Sequence, residues 1–566
     1  MGVSTFMDKI KPTKAESQFS SQAATPARAD STTAEKDALT LDDSPVKYLT
    51  WRSFILGLCV SMGGFIFGYS TGQISGFTTM PDFKRRFGEL NHSSGEYEFS
   101  NVRNGLIVGL LCIGTMIGAL VAAPIADRIG RKLSISFWAL LHIVGIVVQI
   151  ATTDKWYQIA LGRWVAGLGV GALSSVVPMY QSESAPRQVR GAMVSAFQLF
   201  VAFGIFISYI VNYGTSTMGD DPATWRITMG IGFAWPLILG VGTLFLPESP
   251  RYAYSHGRTE EARDVMCKLY GVPSNHRVVA QEMADMKNKL EEELANGNAP
   301  WQEVFTGPRM FYRIMLGIAL QSLQQLTGAN FIFYYGTSIF NGIGLSNSYV
   351  TSIILGAVNF GMTLPGLYIV EHFGRRKCLM YGGAWMFICF LIWASVGHEI
   401  LHSDPSNHAA GIVMILFTCL FIVGFATTWG PIVWAICGEM YPFKYRAVCM
   451  GVATAANWTW NFLISFFTPF INSDIDFRYG YVFAACCFLS VLVVFFFVNE
   501  TQGRTLEEVD TMYVLHVKPW KSSSWVAPEG IVADLHGPNP LDGPKQGEAG
   551  AGEHQHHDNT AEIREE

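Results

Sequence analysis

The string DRIGRK, Asp127–Lys132, ends one long apolar run and opens the next, and it returns as EHFGRRK at Glu371–Lys377. Each copy sets an acid four residues ahead of an arginine, Asp127 before Arg131 and Glu371 before Arg375, with a glycine between them. The echo extends outward from there. Glu183 is followed by Pro186 at +3 and Arg190 at +7, and Glu439 is followed by Pro442 and Arg446 at the same offsets. Glu248 and Glu500 each close a later apolar run. A unit therefore occurs twice in the same order and on the same face, which predicts two bundles related by an axis along the membrane normal.

A bilayer core requires about 20 apolar residues per helix. Segments of that kind fall at 51–75, 103–124, 133–152, 156–178, 191–214, 226–246, 311–335, 347–370, 378–398, 411–437, 447–470 and 478–498. The fold class is thus an all-α membrane protein with twelve spans in two sets of six. The predicted organisation is a disordered tail at 1–47, a first bundle at 48–246 and a helical linker at 247–310, then a second bundle at 311–500 and a tail at 501–566. The first 47 residues hold no basic region followed by an apolar run, so the segment near Trp51 is expected to act as the insertion signal.

Composition agrees. Of 566 residues, 50% are hydrophobic and only 15% are charged, against about 25% charged in an ordinary soluble domain. The polar tails dilute the mean hydropathy to +0.26. A net charge of −6 carries no basic signature of nucleic-acid binding. The ten cysteines lie in or beside apolar runs and read as small hydrophobes rather than a disulfide or metal framework. No nucleophile–base or metal-spaced constellation appears, so an enzyme, a cofactor and a metal centre are not expected. The His-rich GEHQHHD near the C-terminus reads as solvated tail.

Lysines and arginines sort the loops by side. Arg128, Arg131 and Lys132, Arg187 and Arg190, Arg375–Lys377, and Lys444 and Arg446 all fall in loops of one face, which is expected to be cytoplasmic together with both tails. The other face carries Asp220, Asp221, Asp404, Asp474 and Asp476. Its first loop departs with Lys84–Arg86, and also holds Asn91-His92-Ser93, a glycosylation sequon on the correct side. Positive-inside residues explain the cations but not the repeated acids beside them. The acids predict a gate, made of Asp127, Arg131, Glu183, Arg190, Glu248, Glu371, Arg375, Glu439 and Arg446, whose clusters meet across the bundles when the cytoplasmic side closes.

Polar groups inside spans are functional candidates by default. LQSLQQLTGANFIFYYG, Leu320–Gly336, crowds Gln321, Gln324, Gln325 and Asn330 into one segment. Adjacent Gln324 and Gln325 would point about 100° apart on a regular helix, and a break at Thr327-Gly328 would turn more of these amides toward one cavity. Gln198, Asn359, Asn457 and Asn461 add amides from other spans, and Trp434 follows Gly430-Pro431. Amides donate and accept as sugar hydroxyls do, and an aromatic face suits the C–H face of a pyranose. The competing explanation is that each amide only ties two helices together.

These strings, with GGFIFGYSTGQISG, LGRWVAGLGVG, PMYQSESAPRQVRG, PESPR, GPIVWAICGEMYP and NWTWNF, resemble the sugar-porter branch of the major facilitator superfamily, in particular fungal monosaccharide transporters, over about 51–510. The resemblance implies a sugar site formed by Gln198, Gln324, Gln325, Asn330, Asn359, Trp434 and Asn457, with Phe67 lining the same cavity and Tyr334 and Tyr335 forming its outer lid. It implies Arg163 at the cavity edge and the gate set named above. It also implies a plasma-membrane protein, expected to work as a monomer, whose partners are a monosaccharide and the lipid bilayer. Two departures stand out. Proton-coupled members usually carry Asp where this chain has Ser70, and the closing motif begins with Asn499 rather than Pro. Facilitated diffusion of a hexose is the first reading, proton-coupled uptake the second, and a non-transporting sugar receptor the third.

Overall fold

The computed structural model describes residues 50–526 with Asp42 and Ser44, except 91, 93–94, 187–188, 297–304, 306, 308, 343–347, 402, 404–406, 443–444 and 505. Asn91 of the sequon, Arg187, Asp404, Lys444 and the GEHQHHD run lie outside the described residues, and so does the side chain of Glu371. The N-terminal half runs α1 (Trp51–Phe77), the short α2 (Pro81–Phe87), a two-residue hairpin β1 (Glu89–Leu90) and β2 (Tyr97–Glu98), then α3 (Asn101–Ile129), α4 (Arg131–Ile150), α5 (Trp156–Ser184), α6 (Arg190–Ser216), α7 (Ala223–Ile231) and α8 (Ala234–Phe245). The linker forms α9 (Pro250–Ser255), α10 (Thr259–Tyr270) and α11 (Arg277–Asn296). The C-terminal half comprises α12 (Met310–Leu326), α13 (Ala329–Gly342), α14 (Ser348–His372), α15 (Arg375–Val396), α16 (His408–Gly424), α17 (Gly430–Met440), α18 (Arg446–Ile475) and α19 (Tyr479–Phe497), followed by α20 (Leu506–Val514).

Among the described residues, ten stretches are long and apolar enough to cross a membrane, and the twelve expected segments map onto them with two differences. The eleventh and twelfth segments form one stretch, Val448–Phe497, because only a short 3-10 turn, Asp476–Arg478, separates α18 from α19. The seventh is missing from the ten because its helix breaks where the sequence suggested: α12 stops at Leu326, Gly328 takes φ +90°, and α13 starts at Ala329. A side chain at Gly328 would also meet the rings of Phe483 and Phe390 within 3 Å. The tenth segment has a π turn, Phe425–Trp429, between α16 and α17.

Lipid-facing surface is visible directly. α4 turns Leu133, Phe137, Leu140, Val144 and Val147 outward at steps of three and four residues, the spacing of one helix face. Inside, one apolar core joins Leu56, Val60, Val170 and Leu173 in the N-terminal half. A second joins Leu320, Phe331, Phe390 and Trp429, mostly in the C-terminal half. A third crosses between them, packing Ile74, Phe77 and Cys112 with Tyr334, Tyr335 and Trp458.

The repeat in the sequence has a structural meaning. Gly130 and Gly374 both hold positive φ, +95° and +42°, immediately before α4 and α15. One carboxylate caps each helix: Glu248 accepts the N–H groups of Arg131, Lys132 and Ser249 at 3.0, 3.2 and 2.9 Å, and Glu500 accepts those of Arg375 and Arg376 at 2.7 and 3.2 Å. A Cβ on either glycine would strike that carboxylate, at 2.4 Å in the first copy and 2.8 Å in the second. Each acid at the end of a half is therefore a cap for the helix that the GRK string begins.

Candidate functional site

A cavity of about 110 Å³, lined by amide side chains among apolar and aromatic ones, lies between the halves. It is lined from α1 by Phe67 and Thr71, from α6 by Gln198, Val201 and Ile205, from α12 and α13 by Gln324, Gln325, Asn330, Phe333 and Tyr334, and from α14 by Asn359. Phe425 of the π turn, Gly430 and Trp434 of α17, and Asn457, Trp458 and Asn461 of α18 complete it. Nine of the ten predicted sugar contacts meet here. The exception, Tyr335, stands behind the wall, with its hydroxyl donating to Ser465 O at 2.6 Å.

The break after α12 gathers the amides into one network. Gln325 Nε2 donates to Asn457 Oδ1 at 2.8 Å, and Asn330 donates to Gln325 Oε1. Asn457 Nδ2 donates to Gln321 Oε1 and Gln324 Oε1, both at 2.7 Å. Gln324 Nε2 is taken up by the carbonyls of Trp429 and Gly430, each at 2.9 Å, where the π turn ends. The two explanations for these amides thus divide the set. Gln321 is completely buried and outside the cavity wall, so it ties helices together. Gln198, Gln325, Asn330 and Asn359 line the cavity itself.

Eight lining residues were not among the predicted contacts, and three of them bear on the site through a polar group or a contact between the halves. Asn461 was seen as a mid-span amide, and its spacing of four from Asn457 places both on one face of α18. Trp458 packs on Phe67 with ring centroids 5.5 Å apart, joining the halves through two aromatic rings. Thr71 gave no signal beyond its position one helical turn past Phe67.

Toward the face opposite the basic loops, the halves are joined by neutral groups. Tyr334 OH donates to Asn461 Oδ1 at 3.1 Å, and Cys112 Sγ of α3 reaches the same oxygen at 3.2 Å. Ser75 Oγ of α1 lies 2.8 Å from Thr337 Oγ1 of α13, and Thr79 Oγ1 lies 2.8 Å from Tyr349 OH of α14. Arg163 sits nearby, wholly buried and close to Tyr334, Cys112 and Tyr335, and its guanidinium nitrogens find no hydrogen-bond partner among the described residues. Ser70 is also buried, with Oγ 3.5 Å from Nε2 of His142, a buried span histidine that the sequence reading passed over.

On the basic face the ion pairs follow a different rule. Arg131 grips Glu183 with two nitrogens, at 3.0 and 3.1 Å, and also meets Asp127 at 3.1 Å. Arg375 meets Glu439 at 3.2 Å. Arg190 lies 3.8 Å from Glu282 of the linker, and Arg446 donates to Tyr441 O at 3.2 Å. The sequence predicted contacts across the bundles. Among the described residues these pairs stay within one half or reach the linker.

The profile of the sugar (and other) transporter family matches residues 56–513, so the chain belongs to that family and is a membrane sugar transporter rather than an enzyme. It is 46% identical over 517 residues to the hexose transporter HXT10 of Saccharomyces cerevisiae, covering 89% of this chain and 94% of that one. It is 44% identical to the high-affinity fructose transporter ght6 of Schizosaccharomyces pombe over 477 residues, 84% of this chain and 89% of the relative. Its fold is similar to a partially occluded inward-open conformation of the xylose transporter XylE from E. coli, at TM-score 0.67 and 26% identity, over 81% of this chain and 100% of the other. The all-α, two-bundle fold read from the spans and the repeat, and the major facilitator fold that the resemblance implied, agree with the fold of the solved relatives.

Proposed function

We propose that the protein carries a hexose across the plasma membrane by alternating access and facilitated diffusion, with the basic face and both tails in the cytoplasm and a monomer as the working unit. The observation that supports this reading is the convergence of Gln198, Gln325, Asn330, Asn359 and Trp434 on one cavity between the halves. Amides there offer both donors and acceptors to hydroxyls, and among the described residues no carboxylate lines the cavity to select a cation. Millimolar affinity, about −4 kcal/mol, would suffice and would keep release fast. The far face is then the outer gate, with Tyr334 and Tyr335 as its lid and Arg163 at the edge. The charged motifs form the inner gate.

The coupling mode turns on Ser70, which cannot titrate near neutral pH where coupled relatives carry an acid. Labelled glucose uptake into liposomes holding the pure protein, with and without an inward proton gradient, tests it. Equal rates and no accumulation above equilibrium are expected. Accumulation that collapses with a protonophore would make the protein a symporter and direct attention to Glu183 and to His142 beside Ser70.

The site itself is tested by Gln325→Ala. Loss of a buried amide that bonds a hydroxyl costs about 1–3 kcal/mol, so uptake at low sugar should fall by about tenfold or more while surface abundance holds. Unchanged half-saturation would show that the cavity is not the sugar site.

A further inference from the structure

The turn of α13 beyond the Gly328 break is attached to the N-terminal half at two points one helical turn apart. Tyr209 of α6 donates its hydroxyl to Phe333 O at 3.0 Å. Four residues on, the N–H of Thr337 donates to Ser75 Oγ at 3.2 Å, and the two hydroxyls of that pair lie 2.8 Å apart. These are the carbonyl and the amide that a regular helix would pair with each other, and both are shared with the other half.

Counting protons gives the chain a direction. Ser352 Oγ lies 3.2 Å from Ser348 O and 2.8 Å from Thr337 Oγ1. A hydroxyl has one proton. Ser352 donates its proton to Ser348 O, so it receives that of Thr337, and Thr337 receives that of Ser75. Ser75, Thr337, Ser352 and Tyr209 are each at most 3% exposed, so breaking Ser75 from Thr337 leaves buried groups unpaired until water enters.

We infer that Ser75 and Tyr209, through Thr337 and Phe333 O, form a neutral catch that holds the outer gate shut and sets the resting balance toward the inward-facing state. They are positioning residues: they touch no sugar and act through α13, which carries Asn330 and Tyr334. The inference rests on the orientation and alternating-access reading above.

The test measures half-saturation for sugar from outside, by zero-trans uptake, and from inside, by zero-trans efflux. In Ser75→Ala the ratio of inside to outside half-saturation should rise about fivefold, because the outward-facing state becomes more populated. Labelling of Cys112 by a membrane-impermeant maleimide from outside, read by mass spectrometry, should rise with it. Ser352→Ala breaks contacts of the same kind within the C-terminal half and should leave the ratio unchanged. Should Ser75→Ala fail to reach the membrane, Tyr209→Phe removes one donor only and should shift the ratio in the same direction. A ratio unmoved by a transporting Ser75→Ala or Tyr209→Phe, or moved equally by Ser352→Ala, overturns the catch. Wild-type protein in the same preparations separates the two levels: if it moves no sugar the functional reading falls and the catch with it, whereas a transporting wild type leaves the catch to be judged on the ratio.

Discussion

At the proposed outer end the halves meet through hydroxyls, an amide, a thiol and close backbone contact, most of them buried and the Thr79–Tyr349 pair half-buried. At the basic face, proposed to be cytoplasmic, the conspicuous groups are charged, partly wet and paired mostly inside one half. Neutral hydrogen bonds are short-ranged and directional, and costly to leave unmade. Such a seam is closed or open with little between. Exposed ion pairs contribute about 0–1 kcal/mol each, and an arginine such as Arg375 can exchange one carboxylate partner for another at little cost. On the proposed alternating-access reading, the outer seam is suited to hold one state firmly, and the inner rim to re-pair its charges as the halves rock. The two ends should therefore respond differently to packing, charge and pH.

Packing should give the largest effect. Gly105 of α3 faces α18, and a Cβ there would lie 2.5 Å from the carbonyl oxygen of Phe466. That oxygen is backbone in the other half, so the strain is relieved by parting the halves. Gly105→Ala should leave a folded protein that stays open outside, with Cys112 labelled and net uptake down at least about tenfold. Gly171 is the contrast. Its Cβ would lie 1.9 Å from Thr115 O, between α5 and α3 of the same half. Gly171→Ala should yield no monodisperse peak by size-exclusion chromatography. A similar fate for both variants would mean that the outer seam is as rigid as the interior of one half.

Charge should matter less and with the opposite sign. Glu439 is 27% exposed on its side chain and holds Arg375, itself 14% exposed, at 3.2 Å. On the gate reading Glu439→Gln weakens cytoplasmic closure, so the ratio of inside to outside half-saturation should fall, by no more than about fivefold for a pair of this exposure. Raising the ionic strength on the cytoplasmic side should reproduce part of that shift in the wild type. A change in the same direction as Ser75→Ala would remove the distinction between the two ends.

Much of this was legible in the sequence, and for identifiable reasons. The spans were readable because lipid demands long apolar runs. The halves were readable because DRIGRK and EHFGRRK repeat with their glycine. The cavity was readable because amides are conspicuous among apolar residues, and Gly328 marked the break that gathers them. The caps were not: that Glu248 and Glu500 receive the N–H groups of α4 and α15 depends on residues more than a hundred positions apart. The outer catch was hidden for another reason. Serine and threonine are ordinary in spans, since they bond their own helix, and only the fold shows that Ser75 faces Thr337. The repeated charges were legible, but their partners depend on the conformation, which one sequence does not encode.

pH should have the smallest effect on the balance, and the acid to follow is Asp82, which is buried near the proposed outer end. Asp82 of α2 is fully buried and accepts from Arg85 at 2.7 Å, Arg86 at 2.8 Å and Trp225 Nε1 at 3.0 Å. Burial alone would raise its pKa, but the hydrogen bonds from Arg86, Trp225 and Arg85 outweigh it and hold the carboxylate below its ordinary 3.8. A depressed carboxylate contributes stability that is present above the unfolded pKa and is lost as pH falls through the folded one. The contribution of Asp82 to the melting temperature should therefore be full and constant between neutrality and about pH 5, and should be lost only below about pH 4. Asp82→Asn should lower the melting temperature at neutral pH and flatten that acid limb. Asp82 ties α2 to α7 within the N-terminal half, so neither acid nor Asp82→Asn should move the ratio of half-saturations. If external acid did shift that ratio, a titrating group would have to lie in the seam itself, and the neutral character assigned to the outer end would be wrong.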